Sequence, residues 1–309
     1  MLRFTFFLLI IAAVSLVASP YLAADEVKTD EAKDNKSEET QTKPAKVYDL
    51  KPKFTKDMEW KEEATLKYKR YYNYSGYTTN SQDEVSLKSK VKITEFKDAK
   101  ATKVKFYEVN GSGSVETTTT DGSEYSQNYE VTEGVIECDI DKDGLMEIKK
   151  NENIEWDILM VYPGEMFEWF DCPDRAKKVG DTWDSEKLPV YRKAIETDSG
   201  KFQDVKGQFK FDRVKEDGDI EIGYIKWTGT CVLTKYMYSG PYDVKWEAEV
   251  KIDLTNKRVL GFKCEASVTL EEGNKGGMVL NILRKASYDK VQKKEEKNKP
   301  VAPKNEDDE

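Results

Sequence analysis

Residues 243–254 read DVKWEAEVKIDL, and they set the architecture of the whole chain. Val244, Trp246, Ala248, Val250, Ile252 and Leu254 alternate with Asp243, Lys245, Glu247, Glu249, Lys251 and Asp253. A period of two puts the apolar set on one side of an extended strand and the charged set on the other, the pattern of an antiparallel strand with one buried and one wet face. The following segment repeats it with Leu260, Phe262, Cys264, Ala266, Val268 and Leu270 inward, and the preceding one with Ile225, Trp227, Cys231 and Leu233. Turn residues Ser239, Gly240 and Pro241, then Thr255, Asn256 and Lys257, join the three into a predicted meander.

The same alternation runs through the first half at Ala64, Leu66 and Tyr68, at Val85 and Leu87, at Val91 and Ile93, at Val104 and Phe106, and at Ile136, Cys138 and Ile140. Turn signals separate these runs: NGSG from Asn110 and KDG from Lys142. With Val190, Phe209, Phe211 and the Met278, Leu280, Ile282 run added, about a dozen strands are predicted and hardly any helix. The expected fold is mainly β, one large curved antiparallel sheet forming a half-barrel or a barrel. Its halves, 57–150 and 185–291, are joined by an irregular or short-helical crossover over 151–184. The crossover contains NIEWDILMVYPGEMFEWFDCPDRAKKVGDTWD (residues 153–184), apolar and aromatic yet broken by Pro163, Gly164, Pro173 and Gly180. Trp156, Leu159, Phe167 and Trp169 either pack this segment over the open face of the sheet or form a lid on an apolar cavity.

The ends of the chain differ from this body. Residues 1–24 carry Arg3, an apolar run from Phe4 and a closing Ser-Pro-Tyr-Leu-Ala-Ala, which together predict a secretory signal peptide cleaved near Ala23 or Ala24. A secreted or periplasmic protein with no stable membrane anchor after cleavage is the expectation. Residues 25–56 and 292–309 are dominated by charge and are predicted to be disordered tethers flanking a single β-rich domain over 57–291. The formal charge of −9 resides in that domain, because the leader and the two tethers together cancel.

Composition excludes several chemistries. The chain has no histidine, which removes histidine-dependent triads, metal sites and proton shuttles. Its excess of acids, 59 against 50 bases, argues against a nucleic-acid partner. Asp139, Asp141, Asp143 and Gly144 match the opening of a calcium loop, but the twelfth position is Lys150 where a bidentate glutamate is needed, and the same residues suit a tight hairpin turn. Of the four cysteines, Cys138, Cys231 and Cys264 sit in apolar phase and read as core residues; a Cys138–Cys172 bridge stays open. Cys231 and Cys264 are both expected opposite Ala248 to Val250, two strand spacings apart and too far to bond. Tyr68, Tyr71, Tyr72, Tyr74 and Tyr77 crowd one segment, with Tyr68, Tyr72 and Tyr74 in the inward phase. No cofactor motif is present.

Tyr162-Pro-Gly-Glu165, Cys172-Pro-Asp174 and Val179-Gly-Asp-Thr-Trp183, with Ile252 to Val259 as a closing hairpin, resemble an uncharacterised family of secreted bacterial β-rich proteins. The resemblance implies a curved sheet similar to the periplasmic lipoprotein carriers, which hold acyl chains in a half-barrel. The resulting expectation is a non-catalytic envelope protein that binds a hydrophobic or amphipathic small molecule. The alternatives are an envelope scaffold or interaction module with a packed core, whose partner is another envelope protein, and thirdly a carboxylate-dependent hydrolase.

Overall fold

The computed structural model describes residues 45–74, 76–98, 100–154, 165–196, 200–235, 240–270 and 276–288. The leader, most of the first tether, the last tether, and Trp156 and Leu159 of the crossover lie outside these residues.

Eleven strands form one antiparallel sheet: β1 (Glu59–Tyr74), β2 (Tyr77–Lys97), β3 (Lys100–Thr119), β4 (Glu124–Ile140), β5 (Met146–Glu152), β6 (Thr182–Ser185), β7 (Phe202–Asp217), β8 (Ile220–Leu233), β9 (Tyr242–Asp253), β10 (Arg258–Leu270) and β11 (Gly276–Ser287). A single turn of helix, α1 (Arg192–Ile195), is the one α-helix among the described residues. The order across the sheet is β5-β4-β3-β2-β1-β11-β10-β9-β8-β7-β6. Each half is therefore a meander, and the halves meet in the middle where β1 pairs with β11 from Lys61 opposite Ser287 to Tyr72 opposite Gly276. The predicted meander is β8, β9 and β10, with Ala248 opposite Trp227 on one side and Cys264 on the other.

The sheet does not close into a barrel. It curls until its two edge regions approach each other, and residues 165–184 of the crossover run from the β4–β5 turn to β7. Leu145, in the β4–β5 turn, forms an isolated bridge with Met166. Lys187, just beyond β6, donates its ammonium to the Asp143 carbonyl at 2.6 Å.

One phase of every long strand faces the core. Val91, Ile93, Ile136, Phe209, Phe211, Ile225, Trp227, Val250 and Ile252 are fully buried, and each such apolar side chain contributes about 1.5–3 kcal/mol by leaving water. Aromatic rings cross the C-terminal half strand by strand: Trp183 stacks on Phe209 (centroids 5.3 Å), Phe209 on Trp227 (4.7 Å), and Trp227 meets Trp246 edge to face (5.8 Å). Pairs of this kind add about 0.5–1.5 kcal/mol beyond the area they bury.

Four expectations need correction. Asn110 to Gly113 is not a turn but the middle of β3, beside a bulge where Glu108 takes φ 48°. The glycines are there for close approach: a Cβ on Gly111 would fall onto the Ser86 carbonyl, and one on Gly113 onto the Tyr129 ring. The first tether ends earlier than residue 56. Tyr48 exchanges backbone hydrogen bonds with Lys177, Leu50 is buried and Phe54 packs on Phe167 at 4.8 Å, because three apolar side chains in this short stretch find places on the body. Val190 is buried in a loop rather than a strand. Finally, Cys231 pairs opposite Val244, so it lies farther from Cys264 than expected, and all four cysteines are free thiols.

Candidate functional site

Between the end of β6 and the start of β7, residues 186–196 form a strap across β8 to β11. Its apolar side chains, Leu188, Pro189, Val190 and Ile195, roof a small pocket of about 40 Å³ floored by Val244, Trp246, Ala266 and Leu280. Its other side chains, Glu186, Lys187, Tyr191, Arg192, Lys193 and Glu196, line a cleft of about 2030 Å³ whose far wall is the β4–β5 turn. The strap is thus a partition with an apolar and a polar side.

Glu165, the acid of the P-G-E segment, holds the strap at two points. Its Oε2 accepts the Leu188 N–H at 2.6 Å and its Oε1 accepts the Arg192 Nε–H at 3.0 Å. Burial pushes this carboxyl above the ordinary glutamate value, and Arg192 and the Leu188 N–H oppose that push. Arg192 also donates to the Glu186 carbonyl at 3.3 Å. Around this pin, Asp171 accepts from Lys187 (2.8 Å) and from the Ser185 hydroxyl (2.8 Å), Tyr191 receives the Ile148 N–H (3.2 Å), and Lys193 pairs with Glu147 (3.2 Å). These contacts fasten the strap to both sheet edges.

Acidic side chains outnumber basic ones twelve to seven in the lining of the cleft. The polar phase of β7 to β10 supplies much of it, through Lys206, Lys226, Thr228, Lys245, Glu247 and Glu265 among others. Gly207, Gly229 and Trp246, from the apolar phase, also reach it. They lie in one register row, Gly207 opposite Gly229 and Gly229 opposite Trp246. The Trp246 ring covers Gly229, where a Cβ would collide with Cζ2, and the Trp227 Nε1 stands 2.7 Å from the Cβ position of Gly207. Trp246 lines the apolar pocket as well.

Of the predicted cover residues, Phe167 and Trp169 are core residues, and neither lines the cleft or the pocket. Phe167 packs on Phe54 and Trp60, and Trp169 lies under the Arg284 guanidinium at 4.4 Å. The roof over the apolar pocket comes instead from the strap, which a period-based reading passes over because its apolar residues follow no period. Asp139, Asp141 and Asp143 all lie at the cleft wall. Asp141 Oδ1 is engaged by the N–H groups of Asp143 and Leu145, both at 2.9 Å, which makes the hairpin turn. Asp139 and Asp143 each stand 3.9 Å from a lysine, Lys149 and Lys142. Among the described residues no three carboxylates or thiols group to hold a metal ion.

The thiols are poorly disposed to act as nucleophiles. Burial pushes Cys138 and Cys231 up to about 12 and Cys264 further. Cys172 is raised well above its ordinary value, chiefly by burial and then by Glu168, whose carboxylate accepts its S–H at 2.7 Å.

No protein-family model matches the chain, and no curated protein does. Among solved structures it is similar to a chain from work on lipid–protein interactions in lipovitellin, at 10% identity and a TM-score of 0.42, over 76% of this chain. The match covers 25% of the lipovitellin chain, so the present chain spans about a quarter of it.

Proposed function

We propose that the protein is a non-catalytic carrier of an amphipathic small molecule, whose polar part lies in the cleft and whose apolar part lies under the strap. The observation that carries this reading is the two-sided strap: Leu188, Pro189, Val190 and Ile195 roof an apolar pocket while their polar neighbours line a cleft, and Glu165 pins the strap at Leu188 and Arg192. A pocket of about 40 Å³ holds no more than one or two water-sized groups, so uptake requires the strap to lift from β9 to β11. Lifting bares the apolar floor of Val244, Trp246, Ala266 and Leu280 next to the strap's own polar side chains, the arrangement an amphipathic ligand needs. The high thiol pKa values support a binding protein over a thiol enzyme. The leader-like residues 1–24 support secretion, to the periplasm or beyond.

The small volume of the apolar pocket favours one rival, an interaction module with a packed core. Native mass spectrometry of protein purified without detergent, followed by organic extraction, separates the two. A stoichiometric amphipathic adduct is expected. A clean apoprotein mass, with no uptake of added 1-monoolein or oleate, overturns the carrier reading.

A further inference from the structure

The edge of the sheet on the β5 side is covered only in part. β5 pairs with β4 from Val135 to Ile140, and among the described residues no strand lies beside the first part of β4, Glu124–Asn128. A bulge at Glu133, φ 51°, separates the two parts. Just past β5, the Ile154 side chain packs over Gly134 on the core face. All side chains of Glu124–Asn128 are exposed, so neither face of this stretch is covered, and an edge strand of this kind presents a row of unpaired N–H and C=O groups. Natural edges are commonly blocked by lysine or proline. β5 carries Lys149 and Lys150, and the part of β7 beyond β6 carries Arg213 and Lys215. Residues 124–134, EYSQNYEVTEG, contain no lysine, arginine or proline. Their acids also lack counter-charges: Glu124 and Glu130, with Glu116 of β3, make no ion pair among the described residues. By contrast Glu84, Glu95, Glu108 and Glu137, also on β2 to β4, each hold a lysine at 2.8–2.9 Å. Glu124, Ser126, Asn128 and Glu130 share the solvent phase, and Glu116 lies opposite Ser126, so one face of the edge is acidic. Tyr125, 45% exposed, and Tyr129 take the other phase, where the Tyr125 hydroxyl donates to Gln127 Oε1.

We infer that this edge receives a strand from another protein, an extended segment in which lysine or arginine alternates with apolar residues. The backbone ladder supplies the attachment, and the alternating side chains supply the selectivity. Successive side chains of an added strand fall on opposite faces, so its bases lie with Glu116, Glu124 and Glu130 while its apolar side chains lie beside the Tyr125 and Tyr129 rings. Opposite charges facing each other across strands attract, and like charges repel. A second copy of this chain is therefore a poor occupant, because pairing edge with edge gathers the same acids with no base among them. The cleft wall uses the other end of β4, at Asp139 and Ile140, so this docking is independent of the carrier reading.

The experiment adds the acetylated and amidated peptide Lys-Val-Lys-Tyr-Lys-Val-Lys to the chain of residues 25–309 and follows backbone hydrogen exchange by mass spectrometry. Exchange over residues 124–131 is expected to slow, while exchange over 146–152 and 212–217, at the other exposed edges, stays as it was. Glu124→Gln and Glu130→Gln together, both at exposed positions, are expected to weaken binding about fivefold and to leave exchange without peptide unchanged. Two control peptides are expected to give no protection: one with glutamate in place of lysine, and one N-methylated along its backbone, which keeps the charges and loses the donors. Equal protection by the N-methylated peptide overturns strand addition, and equal protection by the glutamate peptide overturns the basic class of partner. Protection spread evenly over all three stretches overturns the choice of this edge. Slow exchange over 124–131 in dilute protein without peptide shows an edge already taken, and protection that grows with protein concentration alone assigns it to a second copy. Either result overturns the inference, as does the absence of protection at millimolar peptide.

Discussion

Glu62 on β1 and Arg284 on β11 form an ion pair inside the core, with side chains 0% and 4% exposed and Arg284 Nε to Glu62 Oε1 at 2.7 Å. Burial raises the Glu62 carboxyl, and Arg284 pulls it back. Removing one partner strands the other charge away from water, so Glu62→Leu or Arg284→Met alone is expected to cost about 3–5 kcal/mol, while the double replacement recovers most of it. Urea denaturation of the four proteins in the cycle checks this. Glu168 gives a pH prediction. Its carboxyl is raised above 4.5, first by burial, with the Cys172 hydrogen bond and three lysines opposing. A carboxyl raised on folding holds its proton more tightly in the native state. Its contribution to stability is therefore full below its ordinary value and is lost as pH rises from about 4.5 through the raised value. Unfolding free energies of Glu168→Gln measured from pH 4 to 8 are expected to decline less across that window than those of the wild type. At this scale the sequence was legible where a residue's phase fixed its fate, as for Cys138 and Cys264. Glu62 and Glu168 could not be read that way, because their partners are distant in sequence and an acid in an apolar phase looks like an interruption.

Among the elements, β3 and the strap depart most from a reading by period. In β3, glycines spaced two apart carry the same letters as a turn, and only the approach of Ser86 and Tyr129 distinguishes the uses. Gly111→Ala is expected to push β3 away from β2 and lower stability by about 1–3 kcal/mol, measured by thermal or urea unfolding, whereas Gly122→Ala, at a turn with open space around its Cβ position but φ 81°, costs about 1 kcal/mol of local backbone strain and leaves β3 in place. The strap is held by polar pins from Lys187 to Lys193 and by Leu188, 1% exposed, beneath. Leu188→Ala is expected to cost about 2–5 kcal/mol and to speed hydrogen exchange over residues 186–196 more than elsewhere; uniform acceleration would show that the strap has no independent motion. The packing of Trp227 and Trp246 did leave a trace in the sequence. Gly207 and Gly229 stand at inward positions of strands otherwise filled with large side chains, and such glycines mark a close approach.

At the scale of the molecule, the alternating pattern was enough to forecast one curved antiparallel sheet with almost no helix, since eleven strands share a single buried phase. What it could not supply was closure. Whether the edges meet by a ladder or across a crossover depends on contacts such as Lys187 to Asp143, which join residues far apart in the chain. The order of strands also places the seam of β1 and β11 at the centre of the sheet. During synthesis from the N-terminus, β1 to β5 are complete while the strand that must cover β1 has not been made, so the growing chain carries a long exposed edge until residue 276 has left the ribosome. Non-local closure of this kind is slow, and an open edge pairs readily with another chain. A fragment of residues 45–154 is expected to self-associate in analytical ultracentrifugation, and a peptide of residues 276–288 to suppress that association by taking the seat of β11. The feature that unites the two halves of the finished protein thus makes its final strand a capping strand, and two copies stalled before that step are positioned to exchange it.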